Sequence, residues 1–417
     1  MRHVVIYTHS FPFQTGEAYF ESEVAHWAAQ ADCQVTLLPF ECGPPRRPVP
    51  EGIQVVQHQR ADHPVADAWR ALRALTRPYI YHEFKQLWMR KKFTPRGLVR
   101  VFLSAIKVER SVTTLNRFLA RCERPVDVMY CYWNFPYSFA AAMAKRRGDI
   151  RHLVARVHGG DLYESRFAIH YSPFKRQFAN DFDRLYFLAA NGRAYYQTQY
   201  NANSVDARIA PLGVRMPELD QVVAQAPGQT LRLLSIANVI GLKRLDKMLA
   251  SLAVLAERFP DWRIEWTHIG SGELLETLQA EANSRFGQSA QVQVNWLGQL
   301  SNQQVCALLA KQDVTCLVNT SESEGMPVSI MEAMAYGIPV VAPDVGAIAE
   351  LLPAGTGVLL DAAPTPVAIA EAIATVVAAN AQGGMSAAAR AHVAQHFDAK
   401  KNYQKMVREL TQLAQND

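Results

Sequence analysis

Two glutamates eight positions apart, Glu324 and Glu332, bracket a stretch built to receive an anion. An apolar run, Thr315 to Asn319, follows the charged Lys311-Gln312-Asp313 and reads as a strand. A polar loop containing Gly325 comes next. Pro327 stands where a first helical residue belongs, since its missing N–H is not needed there. Val328, Met331, Met334 and Ala335 then recur at helical spacing. Gly337 is placed to end that helix, Pro339 forbids its continuation, and Val340-Val341-Ala342 reads as the next buried strand. The helix start formed by Gly325, Met326, Pro327, Val328 and Ser329 leaves backbone N–H groups unpaired and outward-facing. With the helix dipole they suit a phosphate. Glu332 falls about 8 Å along the helix from Pro327, at roughly 1.5 Å per residue. A ligand with a diphosphate in its middle would meet one carboxylate at each end. Carboxylates take pairs of sugar or ribose hydroxyls through charge-assisted hydrogen bonds. The competing reading is an ordinary βα unit with Glu332 on a solvated face.

The flanking elements must position this stretch. Leu231 to Ala237 reads as a strand, Asn238 to Leu242 as a loop, and Lys243-Arg244 as the approach to a helix, Leu245 to Arg258. A lysine at such a start offers a mobile point charge to a phosphate. Trp266 to Ile269 is a strand ending in Gly270-Ser271-Gly272. The third glycine of a dinucleotide fingerprint would fall at Leu275, so nicotinamide binding is not supported. Gly270 and Gly272 instead allow close backbone approach. Val292 to Trp296 is a strand leading to a loop with Gly298 and Leu300, after which Ser301 and Gln304 form a capping box.

The first half starts with a buried strand, His3 to His9. The loop Ser10 to Glu17, which contains Gly16, a helix over Ala18 to Ala29, and a strand from Gln34 to Phe40 follow. This βαβ start argues for a Rossmann-like domain. Leu153 to Val157 is a later strand. His158 and Asp161 follow on a glycine-rich turn at its carboxyl end, where both are expected to be exposed and Arg156 to bear on anionic groups nearby. Asp181-Phe182-Asp183 reads as a charged helix surface. The six cysteines show no CxxC spacing and read as reduced core residues.

The length, 417 residues, suits two domains. No opening apolar segment looks like a signal peptide, and no apolar run reaches the ~20 residues that span a bilayer. Net charge is +5, unevenly placed: residues 70–124 hold 14 Lys and Arg against three acids, or +11, leaving −6 elsewhere. Aromatic and aliphatic residues interleave with those cations, and Pro78 and Pro95 divide the segment into helices. That pattern suits an anionic membrane surface, the alternative being a solvated cationic face over a core. No nucleic-acid module is recognisable.

The run from Glu324 through Glu332, followed by Ala333-Met334-Ala335-Tyr336-Gly337-Ile338-Pro339-Val340-Val341-Ala342, resembles the signature of family 4 retaining glycosyltransferases. The resemblance implies an α/β chain of GT-B fold, two Rossmann-like domains facing across a cleft. It implies that Glu324 approaches the donor sugar and Glu332 the ribose. It implies that Lys243 holds diphosphate, with Asn238 where the family has its clamp arginine and Arg244 as a substitute. Loop residues Gly270, Gly272, Gly298 and Leu300 would line the nucleotide, as would a single glycine, Gly16, where the family has two. Arg156-Val157-His158-Gly159-Gly160-Asp161 is similar to the His-Gly-x-Asp stretch of polysaccharide-building members. This makes His158 a sugar contact and Asp161 a neighbour of it.

The expected layout is a first domain over 1–215, a linker over 216–229, a second domain over 230–396, and an amphipathic helix over 397–417 that crosses back. The expected activity is retaining transfer of a hexose-type sugar from a nucleotide-diphosphate donor to a saccharide or lipid-linked acceptor in bacterial surface polysaccharide. No metal and no other cofactor is expected. The expected place is the cytoplasm, peripherally on the membrane. The rivals are a GT-B nucleotide-sugar epimerase, which would need no acceptor, and a non-catalytic nucleotide-sugar binder.

Overall fold

The computed structural model describes residues 1–14, 17, 19–58, 64–218, 229–311, 313–380 and 383–415. The chain divides into two units, one formed by Met1–Pro211 with Tyr403–Asp417, the other by Leu212–Asn402. Ten of the expected linker residues, 219–228, lie outside the described residues, as does Gly16.

The first unit is built on seven parallel strands: β1 (Arg2–Thr8), β2 (Cys33–Pro39), β3 (Ile53–Val55), β4 (Val126–Cys131), β5 (Ile150–Val157), β6 (Arg184–Phe187) and β7 (Asp206–Ile209). They lie in the order β3-β2-β1-β4-β5-β6-β7, with Val4 opposite both Val35 and Val128. Strands covered on both faces read as near-continuous apolar runs, and β1 is buried from His3 to Thr8. Three helices, Pro64–Ala74, Pro78–Met89 and Pro95–Leu119, carry the basic segment. Pro78 and Pro95 stand at the second and third helix starts, as their missing N–H groups permit. The helix Ala399–Leu413 buries Tyr403, Met406, Val407 and Leu410, the last three packing with Trp27 and Tyr186 of the first unit.

The second unit holds six parallel strands: β8 (Thr230–Ile236), β9 (Arg263–Ile269), β10 (Val292–Trp296), β11 (Cys316–Val318), β12 (Val340–Pro343) and β13 (Gly357–Leu360). Their order is β10-β9-β8-β11-β12-β13. In both sheets the winding direction reverses once, between β1 and β4 and between β8 and β11. Loops leaving the carboxyl ends of strands diverge there and open a crevice. Both units are thus Rossmann-like, as expected.

The expected helix surface at Asp181-Phe182-Asp183 is instead a loop. Asp181 takes Arg146 at 2.7 Å, and Asp183 takes the Leu153 N–H and Lys145, both at 2.7 Å. Carboxylates so anchored fix the approach to β6.

Candidate functional site

The second unit brings its chemistry to the reversal between β8 and β11. Lys243 closes a short turn, Gly241–Lys243, that follows β8, and Glu324 sits on the loop that follows β11. Their side chains meet, Lys243 Nζ to Glu324 Oε1 at 2.6 Å. The same oxygen accepts from Ser321 Oγ at 2.7 Å and Asn319 Nδ2 at 3.2 Å. Glu324 is only 7% exposed, so this set of donors holds a buried carboxylate in one orientation. Asn319 also accepts the Ser321 N–H, and Thr320 donates to the Lys243 carbonyl, tying the two loops together.

Beside the pair, the helix Val328–Ala335 begins. Pro327 is its N-cap, extended at ψ 112°, so the first helical residue is Val328, one later than the sequence suggests. Among the described residues, no acceptor is found for the N–H groups of Gly325, Met326, Val328 or Ser329. The helix ends as expected. Gly337 turns to φ 76°, its N–H reaches Met334, and the Ile338 N–H reaches Ala333, a Schellman closure.

One turn further on, Glu332 accepts from Asn302 Nδ2 at 2.5 Å. Burial lifts its pKa from the ordinary carboxylate range to about 7 against that hydrogen bond. Cys306 and Tyr336 lie beside it, and burial raises both of their pKa values too.

Gly270 and Gly272 are glycine for the reason expected. A Cβ on Gly270 would stand 1.8 Å from the Ala237 carbonyl, and one on Gly272 would stand 2.3 Å from that of Val239. The loops after β8 and β9 are thereby pressed together, and the Gly298 carbonyl accepts the Gly270 N–H at 2.8 Å. Leu300 is half-buried and Asn238 exposed on the same set of loops. Arg244 is held elsewhere. Its guanidinium binds Asp246 at 2.9 Å and Glu322 at 2.5 Å, so it is not brought to the Lys243–Glu324 pair.

Sequence reasoning missed Gly346. It sits at φ +60°, and a Cβ there would lie 2.0 Å from the Glu324 carbonyl. With the Ala347 N–H bonded to the Gly325 carbonyl at 2.9 Å, the loop after β12 buttresses the glutamate. Its signal was a glycine three residues beyond the strand. Asn302, the partner of Glu332, was missed as well.

The first unit makes a second constellation at its own reversal. Glu17, after β1, accepts the N–H groups of His9, Ser10 and Phe11 at 2.9, 2.8 and 2.7 Å, and the indole N–H of Trp133, after β4, at 2.9 Å. Trp133 lies 4.1 Å from the His158 ring, centroid to centroid, and Tyr132 lies 4.9 Å from it. His158 and Asp161 are buried, not exposed as their glycine-rich turn suggested: the aromatic rings cover His158, and Asp161 turns inward onto backbone N–H groups. Neither ring nitrogen of His158 has a hydrogen-bond partner among the described residues. Burial, then the Arg156 charge, holds its pKa well below the imidazole range, so the ring is neutral.

Asp161 is corrected from ligand contact to positioning residue. Its two oxygens take the N–H groups of His158 at 2.7 Å and Asn134 at 2.6 Å, and the side chain is fully buried. Arg156 is corrected likewise. It pairs with Glu23 at 2.8 Å, both side chains fully buried, and donates to the carbonyls of Ala210 and Pro211. Among the described residues no group of three or more His, Cys, Asp or Glu could hold a metal ion.

With this geometry in place, residues 218–392 match the family model described as glycosyl transferases group 1. An uncharacterized glycosyltransferase of Haemophilus influenzae is 28% identical over 160 residues, 38% of this chain and 41% of that protein. The amylovoran biosynthesis glycosyltransferase AmsK of Erwinia amylovora is 24% identical over 292 residues, 67% of this chain and 69% of that protein. The chain spans about half the length of the first curated relatives it matches. Among solved structures, Anabaena HepE in complex with UDP-glucose superposes with a TM-score of 0.62, at 16% identity, covering 98% of this chain and 99% of that one. The fold is GT-B, and the chain resembles group 1 glycosyltransferases of polysaccharide biosynthesis.

Proposed function

We propose that this chain is a retaining glycosyltransferase that takes a hexose-type sugar from a nucleotide-diphosphate donor and passes it to a saccharide or lipid-linked acceptor of a bacterial surface polysaccharide. The observation that carries this reading is the Lys243–Glu324 contact at the sheet reversal, beside a helix start with unengaged N–H groups. A diphosphate suits the N–H groups and the lysine charge. Glu324 is oriented to accept from sugar hydroxyls, and Glu332 from the ribose. HepE, a protein of the same fold, binds UDP-glucose.

In the transfer, the bond between the anomeric carbon and the β-phosphate oxygen breaks, and its electron pair leaves with the phosphate. Lys243 and the helix start offset the charge that develops there. The acceptor oxygen bonds to the anomeric carbon on the face the phosphate leaves, and its proton passes to the departing phosphate. Water and acceptor compete for that carbon, so orientation of the donor by Glu324 matters as much as charge. His158, neutral and unpartnered, is the first unit's candidate to hydrogen-bond a sugar hydroxyl. No bound metal is invoked, and the protein works at the cytoplasmic face of an anionic membrane through residues 70–124.

The test is binding and then turnover. Nucleotide-diphosphate sugars are screened by thermal shift with a chelator present, since a ligand of the folded state raises stability by RT ln(1 + [L]/Kd). The selected donor is then offered with acceptor extracts, and the anomeric configuration of the product is read by NMR. An inverted product overturns the retaining reading, and conversion of the sugar without an acceptor overturns transfer in favour of epimerisation.

A further inference from the structure

The basic segment does more than carry charge. Its helices Pro64–Ala74 and Pro78–Met89 both pack on Pro95–Leu119, within the first unit. Each shows a face that is apolar and cationic at once. On the first, Val65, Trp69 and Leu72 recur at helical spacing and are exposed, Trp69 by 67%, with Arg73 beside them. On the second, Tyr81, Lys85 and Trp88 do the same, Trp88 by 74%, and Phe93 follows on the loop. On the third, Arg96, Val99, Leu103 and Lys107 share the exposed stripe. Among the described residues, nine of the fourteen exposed large hydrophobics fall from Val65 to Leu103. Scattered single apolar residues need no explanation, but a concentration of this kind marks a contact surface.

The carboxylates of the segment are turned the other way. Glu83 is buried and accepts from Tyr171 and Gln177. Glu109 is buried and accepts from Tyr79, with Arg73 and Arg77 at 3.3 and 3.5 Å. Asp67 holds Arg70 and Arg110. With Glu83 and Glu109 buried and Asp67 held by two arginines, the outer faces of the three helices carry Lys85, Arg96 and Lys107, while the exposed Glu123 lies beyond the third helix.

We propose that the outward faces of these three helices form a docking surface for an anionic phospholipid bilayer. Trp69, Trp88, Phe93 and Leu103 enter the headgroup region, and Lys85, Arg96 and Lys107 hold the lipid charge. Charge complementarity selects an anionic partner. The exposed apolar side chains are shared among three separate helices, which a fluid bilayer accommodates and a rigid acidic protein surface does not. Tryptophan is the side chain best suited to the membrane–water boundary. The inference rests on the membrane part of the reading above and not on the transfer reaction.

The full chain is sedimented with vesicles of phosphatidylcholine alone and of phosphatidylcholine with phosphatidylglycerol, at low and high salt. Binding is expected only with phosphatidylglycerol, weakened by salt, with a blue shift of tryptophan fluorescence. Lys85→Ala and Arg96→Ala should each weaken partitioning about five-fold, as one cation near an anionic surface is worth. Trp69→Ser with Trp88→Ser should weaken it at least ten-fold and remove most of the blue shift. All four positions are exposed, so melting temperature and nucleotide-sugar binding in solution should stay unchanged, and those two measurements separate a failed fold or a failed transfer reading from a failed docking surface. Equal binding to both vesicle types, no binding to either, or a tryptophan double variant that binds like the parent overturns the proposal. So does self-association, seen by sedimentation velocity, that the double variant abolishes.

Discussion

Glu332 should make nucleotide-sugar binding and folding respond to pH in opposite directions. Burial lifts its pKa to about 7 in the free protein. As an acceptor for ribose hydroxyls it must be ionised, so protonation competes with the ligand. With a pKa near 7, the apparent dissociation constant should rise about ten-fold from pH 8 to pH 6, or about 1.4 kcal/mol. Folding runs the other way. The folded carboxylate titrates above its unfolded value, so the folded state holds the extra proton. The stabilisation this gives is complete below the unfolded pKa and is lost as pH rises through about 7. For this half-buried group the gain from pH 8 to pH 6 is on the order of 1 kcal/mol. The assay is calorimetric titration of a nucleotide-diphosphate sugar at both pH values, paired with urea unfolding of the free protein. Both phosphates of such a donor are esterified and lose no proton in this range, which keeps the ligand constant. Cys306 and Tyr336, the titratable neighbours, have raised pKa values and stay neutral throughout. Glu332→Gln should bind weakly, lose the affinity slope, and differ from the parent in its folding slope by the Glu332 contribution alone. A flat affinity between pH 8 and pH 6 in the parent, or the same slope in Glu332→Gln, refutes the reasoning.

Lys243→Ala should lower kcat/KM by ~2–4 kcal/mol, the usual loss for one preorganised donor to a developing anion, while a variant with near-normal turnover removes the lysine from the mechanism. Asp161→Ala strands two buried N–H groups, those of His158 and Asn134, and should cost about 2–6 kcal/mol at roughly 1–3 each, read by denaturant unfolding; a loss below ~1 kcal/mol would show that other acceptors replace it. Gly346→Ala must displace the Glu324 carbonyl, so turnover should fall more than Tm does, and equal activity would show that the loop after β12 is free to move.

What the sequence made legible and what it hid have separate causes. Much of the second unit was legible, because several of its strands are short apolar runs next to glycine or proline and Val328, Met331, Met334 and Ala335 recur at helical spacing, but the helices Leu275–Phe286, Pro366–Ala379 and Gly384–His396 were not read. Even the capping box at Ser301 and Gln304 was visible, and both of its bonds are made. Three-dimensional pairing was not visible. Nothing in Arg156 or Glu23 announces that, 133 positions apart, they close on each other inside the first unit. Likewise, the exposure expected of His158 and Asp161 followed from local glycines, while the burial of His158 follows from Trp133 and Tyr132 on a different strand's loop, and Asp161 is drawn inward by the N–H of Asn134 on that same loop. The short strands β3 and β13 escaped because three or four residues carry too little periodicity to register.

The two sheet reversals are equipped for different ligands, and this bears on how a donor and an acceptor would be shared. At the second unit's reversal a lysine paired with a glutamate stands beside open N–H groups, so the site presents a cationic head and unfilled donors. At the first unit's reversal the charges are already answered. Glu17 is filled by three backbone N–H groups and an indole, and Asp161 by two more. What remains there is a neutral imidazole with unmatched nitrogens among aromatic rings: Trp133 stacks on Phe135 at 5.2 Å, and His9 packs on Phe135 and Phe40. An anion would find no counter-charge among those rings, whereas a sugar offers hydroxyls to the imidazole and an apolar face to the aromatics. The chemistry of each unit taken alone therefore favours the nucleotide diphosphate on the second and uncharged saccharide on the first.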